Sequence, residues 1–156
     1  MNQEKLNFLK NNFIPLLKDL PPDAKGKWGK MNGQQMVEHV TGFFKVSSGR
    51  LHLPLVTPAE HLPKFKAFLM SEKEFRENTK APAQILPDEP LPVRKANMEK
   101  AIGGLEISVV EFFSFFSDDP DKKTIHPVFG ELNFTEWIQL HHKHVTHHLK
   151  QFGLIA

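Results

Sequence analysis

The chain has 156 residues, enough for one domain over 1–156 with a real core, and no cysteine, which excludes a disulfide framework, a zinc knuckle and a cysteine nucleophile. Its 20 basic and 18 acidic residues leave a net charge of +2 with no basic stripe interleaved with aromatics, so nucleic acid is not an expected partner. No run of 18 apolar residues is present, so no membrane span is expected; nothing from Met1 to Lys18 reads as a signal peptide, and the expected compartment is the cytoplasm.

In chain order, the first helical segment opens after Asn2, an N-cap, and carries Leu6, Leu9, Phe13, Leu16, Leu17 and Leu20 as an i, i+3/i+4 stripe. Pro15 should bend or end it, and Pro21-Pro22 stops it. The second helix begins at Asn32, with Gln35 completing a capping box. Its apolar face is Met36, Val40, Phe43, Phe44 and Ser47, and it closes near Gly49. From Leu53 to Pro92 the chain holds most of its prolines, and this reads as a crossover. Thr57-Pro58-Ala59-Glu60 resembles a helix start there, but Pro63 allows only short pieces, with little regular structure after Asn78.

The third helix carries Met98, Ile102, Leu105, Val109, Phe112 and Phe116, the spacing of a buried seam in a bundle, and ends at Asp118-Asp119-Pro120. The fourth starts at Asn133 with Glu136 as a second capping box. Trp137, His141, His144, His148 and Phe152 line one face of it, flanked by Leu140, Val145 and Leu149. No segment shows sustained alternation of the strand type. The expected fold is all-α: an antiparallel four-helix bundle with a long Pro-rich crossover between helices 2 and 3.

Five histidines fall within the eight residues from His141 to His148. Imidazoles four residues apart on a helix share a face, with Cβ atoms roughly 5–6 Å apart, so their nitrogens can converge on one ion. His144 and His148 form that pair. His39 lies on the apolar face of the second helix, and bundles build metal sites from facing helices. Three neutral nitrogens with a fourth position open is the arrangement of a catalytic rather than a structural centre. His141, His142 and His147 read as a solvated, loosely basic face with no part in the site.

Three stretches carry a resemblance to a known family. They are Trp28-Gly29-Lys30-Met31 leading into Gln34-Gln35-Met36-Val37-Glu38-His39; His126-Pro127-Val128-Phe129-Gly130; and His144-Val145-Thr146-His147-His148-Leu149-Lys150-Gln151-Phe152. Together they resemble the DinB-like/YfiT-like superfamily of metal-dependent four-helix-bundle proteins, in a branch known only as a domain of unknown function. The resemblance implies that His39, His144 and His148 bind a divalent metal such as zinc or nickel, and it selects His148 over His147. It also implies chemistry on a low-molecular-weight thiol, as an S-transferase or thiol-dependent isomerase. A chain without cysteine must take such a thiol from outside.

Several further residues are candidates for supporting roles. Glu106 and Glu111, off the seam of the third helix, could reach inward to accept a proton from a ligand ring, and His126 sits in a loop that could cover the mouth of the site. Pro127 and Gly130 read as turn residues and Trp28 as a core anchor. Two function classes follow. One is a metal-dependent enzyme, a transferase working on a small-molecule substrate with a small thiol. The other is a non-catalytic metal-binding or vestigial-site protein, with a homodimer in a stress-related role as one form of it.

Overall fold

The computed structural model describes residues 1–156. It contains five α-helices and a two-stranded sheet: α1 (Gln3–Asn7), α2 (Gly33–Ser47), α3 (Leu62–Met70), α4 (Met98–Ser117), β1 (Thr124–His126), β2 (Gly130–Leu132) and α5 (Phe134–Gln151). The expected antiparallel four-helix bundle is therefore incorrect, although the fold is mostly helical. No helix is long and apolar enough to cross a membrane.

Three local causes separate the observed fold from a bundle. Pro15 has no N–H and its ring would meet the carbonyl one turn back, so the first segment cannot continue as an α-helix. It widens into a π-turn at Phe8–Asn12, where the Phe13 N–H reaches the Phe8 carbonyl, then tightens into a 3-10 turn at Ile14–Leu17 with Pro15 in its first turn. Within the crossover, Pro63 occupies the first turn of α3, where a missing N–H costs nothing, so it sits inside a regular helix of nine residues. Finally, His126-Pro127-Val128-Phe129-Gly130 closes a hairpin with Thr124 opposite Leu132 and His126 opposite Gly130. Gly130 has φ +83°, a backbone that favours glycine.

The remaining elements follow the sequence closely. Asn32 with Gln35 and Asn133 with Glu136 form reciprocal capping boxes at the starts of α2 and α5. The α4 seam packs along α2, with Leu105 and Phe112 fully buried and only Ile102 half-buried. The same helix also packs on α5, where Met36 and Val40 share a small apolar space with Val145 and Leu149, closed by Phe13 and Leu17. Thr124 ties the hairpin to both helices: its hydroxyl donates to the Ser47 carbonyl and accepts from the Trp137 indole N–H. One continuous apolar cluster runs through all of these contacts.

The crossover is held by polar straps. Lys143 of α5 donates to the carbonyls of Ser71 and Lys73, and Lys150 pairs with Glu74. Farther along, the buried Glu38 carboxylate accepts from the backbone N–H groups of Arg94 and Lys95, while Gln34 donates both to Glu38 and to the Lys95 carbonyl. Burial opposes ionisation of Glu38, yet these hydrogen bonds hold its pKa below the usual carboxylate value.

Candidate metal centre

Two packed helices supply three imidazoles. His39 stands near the middle of α2, and His144 and His148 stand on successive turns of α5. Helical periodicity aligns the α5 pair, and the packing of α2 against α5 brings His39 to it. The Nε2 atom of His144 lies 3.0 Å from Nε2 of His39 and 3.0 Å from Nε2 of His148. One ligand atom from each of the three residues falls within 4.8 Å of the other two. The rings are mutually steep, at interplanar angles of 71°, 80° and 75°.

This donor set fits a divalent cation. A neutral imidazole nitrogen has either one proton or one lone pair, so His144 Nε2 cannot satisfy two 3.0 Å neighbours by hydrogen bonding alone. A cation between three lone pairs satisfies all of them, and tetrahedral arms of about 2.0–2.1 Å separate nitrogens by about 3.3 Å. Burial pushes His39 down to about 4 and lowers His144 and His148 well below the ordinary imidazole value, with repulsion from neighbouring imidazoles adding to it. All three are consequently neutral at pH 7, the state that ligates. No carboxylate belongs to the cluster. His39 and His144 keep partial solvent exposure, whereas His148 is buried.

Around the triad, the half-buried Phe43 sets its ring edge-on to His39 and His144, 5.3 Å from each. Behind His148, the Nδ1–H donates to Gln151 Oε1 at 2.7 Å, and the Gln151 amide N–H donates to the Trp28 carbonyl at 2.9 Å. Gln151 was not among the expected supporting residues. The signal for it was its position, one helical turn after His148 and within reach of the same side of α5.

The residues named for supporting roles lie elsewhere. Glu106 is exposed on α4, and Glu111 pairs with Arg50 at 2.6 Å. His126 is buried, but its Nδ1 accepts from the N–H groups of Val128 and Phe129 in its own turn. It meets the site only through Phe43, on which it stacks at 5.6 Å.

The three remaining histidines of α5 also depart from a solvated face. His141 is 1% exposed, stacked 3.8 Å from Phe44, and bonded to Ser47 Oγ. His147 packs between Trp28 and Phe75, at 5.3 and 5.8 Å. His142 is half-buried against Phe8. Trp28 is half-buried rather than a core anchor, and with Phe75, His147, Lys27, Lys143 and Lys150 it lines a cavity of about 300 Å³. None of the three ligand candidates lines that cavity.

No family model matches the chain, and no curated protein or solved structure is significantly similar to it.

Proposed function

We propose that His39, His144 and His148 hold a divalent cation, zinc or nickel, at a DinB-like/YfiT-like centre that acts on a small thiol and a second small molecule. The observation that carries the reading is the convergence of three neutral Nε2 atoms from two helices. A cation held there would supply Lewis acidity, lowering the pKa of a thiol that reaches it so that the nucleophilic form is present at neutral pH. The chain's own residues set the conditions for that chemistry. Burial keeps the imidazoles unprotonated, and the absence of a carboxylate leaves the cation's charge uncompensated, which favours an anionic fourth ligand. Phe43 packs an apolar ring edge-on against His39 and His144. The thiol comes from outside, because the protein has none. The cavity beside His147 is at the small end of the range for small-molecule sites.

One observation favours a second reading, a non-catalytic metal-binding or vestigial-site protein: the three histidines do not border the cavity. Cobalt(II) titration of protein purified without an affinity tag separates the two. The enzyme reading expects one equivalent with a tetrahedral visible spectrum, lost in His39→Ala and His144→Ala, and a sulfur-to-cobalt charge-transfer band when 2-mercaptoethanol is added. Cobalt uptake without that band supports the metal-binding form of the second reading, and no uptake overturns the enzyme reading and supports the vestigial-site form.

A further inference from the structure

Gln151 ends α5 in a tight niche. Its side chain and backbone are buried, its own carbonyl accepts from the Lys27 N–H at 2.7 Å, and its amide donates to the Trp28 carbonyl. The glycines on either side of Lys27-Trp28 make room for it. A Cβ on Gly26 would lie 2.9 Å from Gln151 Cγ and 2.8 Å from the Trp28 carbonyl oxygen. Gly29 has φ +78°, and a Cβ there would lie 2.8 Å from Gln151 Nε2, so a side chain at that position displaces the amide itself.

The consequence passes to the metal centre through donor and acceptor rules. The Trp28 carbonyl only accepts, so the NH₂ end of the Gln151 amide must face it, which turns Oε1 toward His148. Oε1 also only accepts, so His148 Nδ1 must carry the single proton of the neutral ring. The lone pair is then on Nε2, the atom 3.0 Å from His144 Nε2. A reversed amide would set two carbonyl oxygens against each other and turn an N–H of His148 toward the other two imidazoles.

We propose that the Gly26–Gly29 loop is a tautomer lock: it fixes the Gln151 amide, and Gln151 as a positioning residue makes His148 present an unprotonated Nε2 to the cation. The proposal rests on the metal reading of the triad, and its primary test needs no metal.

In ¹⁵N-labelled, metal-free protein at neutral pH, long-range proton–nitrogen correlations distinguish the two tautomers of each ring. His148 is expected as the Nδ1–H form in the parent chain and as a mixture in Gln151→Leu. Cobalt(II) affinity should fall about 10–100-fold in Gln151→Leu, the usual effect of removing the partner behind a metal-binding histidine. It should also fall in Gly29→Ala, whose added Cβ displaces the Gln151 amide. An Nε2–H form of His148 in the parent chain overturns the lock without any variant having to fold. So does a Gln151→Leu protein with the parent's tautomer and cobalt affinity. A parent chain that takes up no cobalt defeats the metal reading, and the tautomer measurement still decides the lock.

Discussion

His126 uses its Nδ1 lone pair to hold the turn that follows it, and His141 is enclosed by Phe44, Phe112 and Trp137. Burial pushes His126 down to about 3 and His141 well below its ordinary value, so both fold as neutral rings. Unfolded, each binds a proton near pH 6.5. Above that pH neither state takes up a proton and stability is fully present. As pH falls from 6.5 toward 3, only the unfolded chain protonates, and stability declines by about 1.4 kcal/mol per pH unit for each such histidine. Urea midpoints measured from pH 8 to pH 4 should therefore drop steeply below about pH 6.5. A flat profile over that range would show that the buried imidazoles are not held neutral.

At the scale of one element, α5 sorts its histidines by column. His144 and His148 meet His39 of α2, His141 is buried against Phe44 and Ser47 of the same helix, and His142 and His147 lie half-exposed on the flanks. His141→Ala should cost roughly 3–5 kcal/mol, as for loss of a buried aromatic, with metal content unchanged. The paired His142→Gln, His147→Gln variant should change neither stability nor stoichiometry greatly. Denaturant titration and elemental analysis of each protein check this, and metal loss from the double variant would show that the wrong column was assigned. The convergence of His144 and His148 was legible because i, i+4 spacing needs only one helix to be right, and the capping boxes at Asn32 and Asn133 were legible because they are local. His141 was misread because spacing alone cannot tell a histidine stacked on Phe44 from one in water. The hairpin was missed because strands of three residues, Thr124–His126 and Gly130–Leu132, are too short to display alternation. Gln151 and the Gly26–Gly29 loop were invisible as a unit, since more than 120 residues separate Trp28 from its hydrogen-bond partner.

For the molecule as a whole, the triad joins segments 105 residues apart, so a cation held there would act as a clasp between α2 and α5. A ligand that binds only the folded chain stabilises it by about 2.7 kcal/mol at 100 times its Kd. In a chain of this length that corresponds to a Tm increase of roughly 5–10 °C. Calorimetry with and without zinc should show the increase in the parent chain and not in His144→Ala. Equal Tm values with zinc present and absent would mean that the folded state gains no ligand.

The sequence contains no tyrosine, so Trp28 and Trp137 account for the emission excited at wavelengths too long for phenylalanine to absorb. They occupy opposite settings: Trp137 is fully buried with its indole N–H on Thr124, and Trp28 is half-exposed on the loop that cradles Gln151. A water-borne quencher therefore reaches one fluorophore and not the other. The protein thus carries two optical channels of its own, a short-wavelength one for the integrity of its core and a long-wavelength one for the loop behind His148.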